Sequence, residues 1–527
     1  MTELEQTLTE EVEKKRAELE AIEHQRDEYH RLYLEAMERC RMLERGILAS
    51  KSEKREAGDG QLALSVLGMM LGDRERREIE AAVDAEIQVP EHTRQKPTGR
   101  KPIPENLPRV DVEVLPPEVQ RAGLDAFERI GQEVTETIER RPAALVVVRI
   151  TRPKFVRKDR DREATTVEIA EPPELPIPKG LAGPGLLADT IVKRWQDHIP
   201  LNRQEGIYAR DGIELARSTI GNWHFVLAEL VKPLVAAMRQ DAFKQPYVCT
   251  DSTGVLVQQK EKCRTGHFWV LVAPKRHVLF EYTPRHDGDA VDEVLAGYGG
   301  YLVADAHAVY DHLYASGEVK EVNCWAHCRR YFFKAMTSDP TRATTALDLI
   351  GMLFRIERTL ADSPRKKKEA IRQKRSKPIV DSFLSWCDAE APLVLDDTPI
   401  SDGIRYARNQ RVGLSRLIED GRLPIHNNMS ELNLRSEAVG RKNWLFVGSD
   451  EGGEVNARFV SLLASCRLSS VEPWSYLRDV LCLLPRWSEH KVLELSPVEW
   501  PTTRRREDVQ KLLADNPFRT ATLDNGS

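Results

Sequence analysis

The fold is decided by residues 247–324, which read YVCTDSTGVLVQQKEKCRTGHFWVLVAPKRHVLFEYTPRHDGDAVDEVLAGYGGYLVADAHAVYDHLYASGEVKEVNC. Short β-rich runs separated by turn-like segments come first and predict an antiparallel meander. They are Tyr247-Val-Cys-Thr250, Val255-Leu-Val257, Phe268-Trp-Val-Leu-Val272 and Val278-Leu-Phe-Glu-Tyr282. Helices and strands then alternate, with strands at Tyr301-Leu-Val-Ala304 and 319–324. The order predicts an α/β unit with one mixed sheet and right-handed crossovers.

Acidic residues stand at two strand ends of this predicted sheet. Asp251 lies at or just beyond the end of the first strand, and Asp305 directly follows the strand Tyr301-Leu-Val-Ala304. If these strands are parallel neighbours, both carboxylates emerge at one edge, where divalent ions would need a third acid from a nearby helix. Glu431 fits, because Pro424 to Asn428 ends one structure and starts a helix. The plan is that of the ribonuclease-H-like fold.

Each acid also has an ordinary structural interpretation. Asp251 would cap a turn with Ser252 and Thr253, Asp305 would be a helix N-cap, and Glu431 would complete a capping box three residues after Asn428. Only the combination of three acids at the places one fold requires favours a metal site.

Composition limits the classes of protein that the chain can belong to. It has 527 residues, 31% charged and 41% hydrophobic, and no run approaches the length of about 20 apolar residues that a membrane span needs. The eight cysteines have no regular spacing and the start is acidic, so we expect reduced thiols and a cytoplasmic, multidomain protein. The net charge of −5 gives no hint of a nucleic-acid partner, because phosphate affinity depends on where positive charge sits.

The first half of the chain divides where composition changes. We expect a helical region at 1–90 that begins with a long helix, which is either a coiled coil or a helix packed on its own domain. A basic, proline-rich linker follows at 91–109, where Arg100 and Lys101 would contact DNA or stay solvated. A small unit at 110–170 contains the predicted strand 144–150, and 180–243 resembles a helix-turn-helix or an ordinary helical connector.

The second half carries the predicted catalytic core. Its first part is at 244–336, a helical insertion is at 337–423, the completion bearing Glu431 is at 424–485, and a C-terminal tail is at 486–527. The lysine and arginine runs of the insertion would bind DNA strands or form a solvated face. On the Glu431 segment, Arg435, Arg441 and Lys442 would hold phosphates or make surface ion pairs. Trp444 and Phe446 are predicted as core strand residues, with stacking on an unpaired base as the alternative.

Long motifs in this sequence resemble those of the insertion sequence 66 transposases. The resemblance is carried by Asp251-Ser-Thr253, by 303–310, by Cys324-Trp-Ala-His-Cys-Arg-Arg330 and by 427–450. It extends through Gly99-Arg-Lys-Pro102, Leu201-Asn-Arg-Gln-Glu205 and Glu472-Pro-Trp-Ser-Tyr-Leu-Arg-Asp479.

The resemblance implies a D-D-E transposase that cuts and joins DNA with Asp251, Asp305 and Glu431. Two Mg²⁺ or Mn²⁺ ions would be the cofactors. The expected partners are the terminal inverted repeats of the element, the target DNA, a second copy of the chain through the N-terminal helix, and companion proteins of the element. The protein would be bacterial and associated with the nucleoid when bound.

Two departures from the family pattern keep a second function open. No cysteine lies between Arg109 and Asp159, where relatives carry a zinc module, and His426 replaces a usual aspartate. Zinc is therefore not expected, and Cys324, His327 and Cys328 are interpreted as packing residues. The alternative function is a catalytically inactive DNA-binding protein of transposase descent; a nuclease that cuts without joining would share the same site.

Overall fold

The computed structural model describes residues 15, 103–105, 107–141, 144–157, 167–260 and 262–522. The chain divides into two compact units, Met1–Gly99 with Trp325–Ile425, and Arg100–Cys324 with His426–Ser527. The predicted coiled coil and the linker residues Arg100 and Lys101 lie outside the described residues, although Lys15 is described and is helical. The described part is a mixed α/β protein. None of its helices is long and apolar enough to cross a membrane.

The first described element group is a small sheet. Its elements are β1 (Arg109–Glu113), α1 (Pro117–Ala122), β2 (Phe127–Arg141), β3 (Ala144–Arg157) and β4 (Glu168–Ile169). The strand order is β1-β3-β2, with β4 also paired to β3. The strand predicted at 144–150 is confirmed, but it continues into the basic run as far as Arg157. Strand β2 was missed because its sequence, FERIGQEVTETIERR, is polar and largely exposed, as an edge strand can be.

Three helices follow the small sheet. They are α2 (Pro184–Trp195), α3 (Leu201–Arg210) and α4 (Arg217–Phe243). The turn at Asp211 and Gly212 separates α3 from α4, so the outline of the predicted helix-turn-helix is present. Beyond its first turn, α4 buries an apolar stripe that includes Trp223 and Leu227, and it carries Pro233 in its interior.

The central sheet has the strand order β7-β6-β5-β8-β9. Its elements are β5 (Tyr247–Val257), β6 (Arg264–Ala273), β7 (His277–Thr283), α5 (Gly288–Val294), β8 (Gly300–Ala304), α6 (Asp311–Ala315) and β9 (Val319–Asn323). Strands β5, β6 and β7 are antiparallel, whereas β8 is parallel to both β5 and β9. The mixed sheet is therefore confirmed. Predicting two strands in 247–257 was wrong, because Asp251 to Gly254 continue a single strand paired with β6.

Trp325–Ile425 fold as a helical unit with their own core. The helices are α7 (Trp325–Ala335), α8 (Pro340–Thr359), α9 (Arg365–Ile371), α10 (Lys377–Glu390), α11 (Pro399–Asn409) and α12 (Arg411–Ser415). Phe332, Phe383 and Leu414 are among the buried residues of the cluster. The insertion that we expected at 337–423 thus extends in the structure from Trp325 to Ile425.

The chain then returns to the central sheet and ends in helices. These are α13 (Asn428–Trp444), α14 (Asp450–Leu468), α15 (Pro473–Leu483), α16 (Trp500–Thr503), α17 (Glu507–Ala514) and α18 (Pro517–Thr522). Helix α14 covers the edge strand β7, whose Val278 and Phe280 amides donate to the Ser465 and Ser461 hydroxyls at 3.0 and 2.7 Å. The segment 486–527, expected as a tail, packs Phe518 beside Val146 of β3.

Candidate active site

The central sheet brings Asp251 and Asp305 to the same level. Strands β5 and β8 are parallel, and Cys249 pairs with Val303. Continuing this register by two residues places Asp251 opposite Asp305, which directly follows β8. Asp251 lies inside β5 rather than at its end as predicted, because β5 continues past β8 along β6. The backbones of the two acids are therefore brought to the same level, just beyond the last paired residues.

Helix α13 carries Glu431 in its first turn, and a buried asparagine holds the start of this helix against β5. Asn427 donates from Nδ2 to the Thr250 carbonyl at 2.7 Å, and its own backbone amide donates to the Cys324 sulfur at 3.2 Å. The Glu431 amide in turn donates to the Asn427 carbonyl at 3.4 Å. The third acid is thereby connected to the residue that precedes Asp251.

The structural alternatives for the three acids are realised only in part. The Ser252 amide donates to Asp251 Oδ1 at 2.7 Å, so this carboxylate does stabilise its own strand locally. The short helical turn after Asp305 is capped by His307, whose Nδ1 accepts the Val309 amide at 3.2 Å. The N-cap residue of α13, Asn427, makes no side-chain capping bond. Because His307 caps the turn that follows Asp305, N-capping does not account for Asp305.

The three acids do not form a closed ligand set in this structure. Among the described residues, no group of three or more His, Cys, Asp or Glu side chains lies close enough to hold a metal ion. The Asp251 and Asp305 pair offers hard carboxylate oxygens, which is the donor type that Mg²⁺ and Mn²⁺ prefer. The donor chemistry of this pair thus fits a divalent ion, whereas Glu431 is linked to the pair through the bonds of Asn427 to Thr250 and to the Glu431 amide.

Three histidines border the acids, and sequence reasoning did not single them out. His286 stacks on Trp269 with ring centroids 4.8 Å apart and an interplanar angle of 6°, and its Nε2 lies 2.9 Å from the Ser252 hydroxyl. The ring centroids of His267 and His307 lie 4.7 and 4.9 Å from that of His286. Burial and the neighbouring charge of His307 lower the pKa of His286. His307 had a signal, since it stands two residues after Asp305, whereas His286 had none.

Buried Tyr310 forms the inner wall beside the acids. Its side chain is 2% exposed and packs edge-to-face on Trp269, with ring centroids 6.1 Å apart. Burial, followed by the charges of Asp305 and Asp251, raises the pKa of Tyr310. The phenol therefore stays protonated.

Helix α13 runs along β5 and is joined to it again at its far end. Arg441 donates from Nη1 to the Thr253 hydroxyl at 3.0 Å and to the Gly254 carbonyl at 2.5 Å. This arginine is therefore partly used in fixing the helix, while Arg435 and Lys442 are exposed. Predicting Trp444 and Phe446 as core strand residues was wrong, because Trp444 ends the helix and Phe446 is exposed.

A buried carboxyl on the inner face of α13 faces α2 and α14. Glu437 accepts from Asn456 Nδ2 at 3.2 Å, and burial raises the pKa of Glu437 to about 7, an effect opposed by Asn456, Arg194 and Arg441. Arg194 lies over the Trp444 ring at 5.6 Å, and burial lowers its pKa to about 10. His426, which replaces the family's usual aspartate, accepts the Asn428 amide at 3.4 Å and so helps to start the helix.

Comparison with known proteins assigns this arrangement to a class. A family model described as "Transposase IS66 family" matches residues 179–455, which include the central sheet, the helical insertion and α13. A second model, described as "Transposase C of IS166 homeodomain", matches residues 35–112, most of which lie outside the described part. The α/β fold and these matches define a protein of the transposase class.

Two relatives extend the similarity over most of the chain. The uncharacterized protein y4hP of Sinorhizobium fredii is 30% identical over 436 residues, which are 77% of this chain and 78% of that protein. The uncharacterized protein y4qI of the same organism is 30% identical over 423 residues, 76% of this chain and 77% of that protein. The chain belongs to the IS66 transposase family.

Proposed function

We propose that this protein is a DNA transposase that cuts and joins DNA at the ends of its element. The observation that carries the proposal is the register that puts Asp251 level with Asp305, together with the Asn427 bond that brings the Glu431 helix to the same strand. The strand order, three antiparallel strands followed by two parallel ones, supports a ribonuclease-H-like core. DNA is the partner that a transposase class implies.

Asp251, Asp305 and Glu431 would hold the divalent ions, Mg²⁺ or Mn²⁺. When bound, two such ions would activate the attacking oxygen and stabilise the leaving oxygen of an in-line phosphoryl transfer. The chain's own residues prepare the site: Asn427 orients the first turn of α13, and Arg441 fixes its far end to β5. Exposed Arg435 and Lys442 would bind the phosphates that flank the scissile bond.

Self-association and DNA recognition belong to the same proposal. The N-terminal helix would join two copies of the chain, and companion proteins of the element would assist the reaction. Helix α4 begins with exposed Arg217, Ser218, Thr219 and Asn222, which are suited to contact DNA if α3 and α4 act as a helix-turn-helix.

The test is cleavage and strand transfer on DNA that carries the element's own ends, with Mg²⁺. We expect Glu431→Gln to lose at least about a hundredfold in rate, because removal of one metal-binding charge weakens the stabilisation of the transferring phosphoryl group. The matched control is Glu318→Gln, an exposed glutamate beside β9. It should cut as the unaltered protein does.

Other outcomes would assign other functions. DNA binding without products, even with Mn²⁺ and the companion proteins present, would support the inactive DNA-binding relative, which the missing cysteines between Arg109 and Asp159 and the histidine at 426 favour. Cleavage without joining would support a nuclease.

A further inference from the structure

The turn that follows α13 has a strained backbone. Leu445 has φ 62° and ψ −50°, and the Phe446 amide donates to the Trp444 carbonyl at 2.7 Å. These values describe the rare γ-turn with positive φ, which is costly for a residue with a branched side chain. Such strain persists only where the surrounding structure imposes it, and it is often associated with function.

The strained turn presents apolar side chains to solvent. Leu445 is 65% exposed, Phe446 is 40% exposed and neighbouring Leu256 of β5 is 49% exposed. The chain on either side is fixed: Trp444 is packed beneath Arg194, and buried Val447 exchanges backbone hydrogen bonds of 2.8 Å with Leu256 and Gln258. The turn is thus fixed on both sides while its two large side chains are exposed to solvent.

The turn lies at the end of the helix that begins at the candidate active site. Leu445 is 14 residues beyond Glu431, which corresponds to about 21 Å at the usual rise of a helix, and exposed Arg435 and Lys442 lie between them on the face that carries Glu431. About six base pairs of duplex DNA span that length. A DNA end that follows this face of α13 from Glu431 would therefore meet Leu445 and Phe446.

The surrounding charges suit a polyanion. Lys442 is exposed one turn before Leu445, and the hairpin loop that follows Gln258 carries exposed Lys260 and Lys262. The nearby Asp450 is paired with Arg264. Apolar side chains beside cations match the alternation of bases and phosphates in nucleic acid, where aromatic rings stack on bases and leucines act as wedges between base steps.

We propose that Leu445 and Phe446 form a DNA wedge that unstacks a base about six base pairs from the cleaved phosphate. The proposal rests on the transposase function given above and adds a contact that none of the three acids provides. The wedge would bind and distort the DNA end, and this distortion can be measured without any cleavage.

The experiment uses the full chain with Glu431→Gln, so that DNA stays intact, and duplexes of the element's terminal sequence with 2-aminopurine placed at successive positions. Binding should raise the fluorescence severalfold at one position only, because the probe brightens when unstacked. In the same background, Phe446→Ala should abolish this rise and weaken the Kd about tenfold, the usual scale for loss of one stacked base.

Leu445→Gly separates the wedge from folding. Glycine adopts positive φ readily, so this variant should keep or raise the thermal midpoint while reducing the fluorescence rise. Leu432→Ala, which removes another exposed leucine of α13, should leave the fluorescence unchanged.

A fluorescence rise that persists in Phe446→Ala would overturn the wedge while leaving the transposase proposal intact. If Phe446→Ala instead changes the oligomeric state and not the fluorescence, the turn is a contact between protein chains and the wedge is wrong. Failure of the Glu431→Gln protein to bind the terminal DNA at all would count against both proposals.

Discussion

Asn427 shows how one side chain can help to position a proposed catalytic group that it does not itself supply. It is fully buried, its Nδ2 donates to the Thr250 carbonyl, and its Oδ1 accepts the Ser430 hydroxyl at 2.9 Å. The first bond joins α13 to β5, and the second lies within the first turn of α13. Asn427 is therefore a positioning residue for Glu431, and a sequence pattern alone would assign it to helix capping.

We expect Asn427→Ala to lower the cleavage rate at least about tenfold with little change in DNA affinity. The substitution leaves the buried Thr250 carbonyl without its donor and frees the first turn of α13, at a cost of about 1 to 3 kcal/mol in folding stability. The rate is measured in single-turnover cleavage, and the affinity by gel shift.

Two further variants make this prediction specific. Ser430→Ala keeps the bond to Thr250 and should lose less activity than Asn427→Ala. Asn443→Ala, near the other end of the helix, removes only a bond to the Val439 carbonyl and should cut normally. Equal activity of Asn427→Ala and Asn443→Ala would show that the β5 bond does not position Glu431.

Several residues of the family-like motifs have structural roles at this scale. Gln204, from the motif at 201–205, is fully buried and donates to the carbonyls of Thr190 and Ile199 at 3.2 and 3.1 Å. Trp474, from the motif at 472–479, donates to the Gly185 carbonyl at 3.1 Å. In that motif, Asp479 is 1% exposed in its side chain and pairs with Arg478 and Arg519. These motifs hold α2, α3 and α15 in place.

At the scale of elements, the helical unit presents a basic surface. Lys366 and Lys367 on α9, and Lys374 and Arg375 on the π-helical turn Arg372–Ser376, are all exposed. The turn itself is fixed by Arg372, which is 1% exposed, pairs with Glu357 and donates to the carbonyls of Leu417, Asp420 and Leu423. The exposed cations are thus presented on a rigid element.

Neutralising Lys367, Lys374 and Arg375 to glutamine should weaken DNA binding and flatten its salt dependence. If each contacts one phosphate of duplex DNA, the slope of log K against log salt falls by about 2.7, because each neutralised phosphate contributes about 0.9. The measurement is a set of binding isotherms at several salt concentrations.

The matched control neutralises an equal number of exposed cations elsewhere, namely Lys491, Arg505 and Lys511. This control should leave the slope nearly unchanged. If both triple variants give the same slope, the basic surface of the helical unit does not bind DNA and its cations are only solvated.

At the scale of the whole molecule, a buried glutamate joins the small sheet to the helices that follow it. Glu139 of β2 is fully buried and accepts the amides of Arg140 and Leu186 at 2.7 and 2.6 Å, so it binds the first turn of α2. A Cβ atom at Gly183 or Gly185 would lie 2.1 or 2.5 Å from its carboxylate oxygens, which explains why glycine stands at both positions. Burial raises the pKa of Glu139 to about 8.

This raised pKa predicts that the protein loses stability as the pH rises from about 4.5 to about 8. The folded state favours the protonated carboxyl, so the contribution of Glu139 is complete below the unfolded pKa of about 4.5 and is lost as pH rises through about 8. Glutamine at this position cannot ionise. At about pH 9, Glu139→Gln should therefore have a free energy of unfolding higher than that of the unaltered protein by several kcal/mol, and it should unfold at a higher temperature. Thermal unfolding followed by circular dichroism at about pH 6 and about pH 9 measures the effect.

Glu128→Gln, an exposed change on the same strand, should leave the pH dependence as it is. If Glu139→Gln loses as much stability between about pH 6 and about pH 9 as the unaltered protein does, other groups cause the loss.

The sequence by itself determined the order of elements in the central sheet. The continuous apolar runs of β6 and β7 and the short apolar run of β8 are local signals, because they can be recognised from the residues of each strand alone. Asp305 could be placed for the same reason, since it directly follows a buried strand. The family motifs could also be recognised from the sequence alone, and the family match confirms that assignment.

Only the tertiary structure decided what depends on distant partners. β5 continues through Asp251 because β6 pairs along its whole length, and α13 is held in place because Asn427 meets Thr250, 177 residues earlier in the chain. His286 joins the site through a stacking contact with Trp269, and Phe446 is exposed because Val447 alone pairs with β5. Hydrogen bonds and ring contacts act over a few ångströms in space, so a sequence pattern cannot state which remote residues will satisfy them.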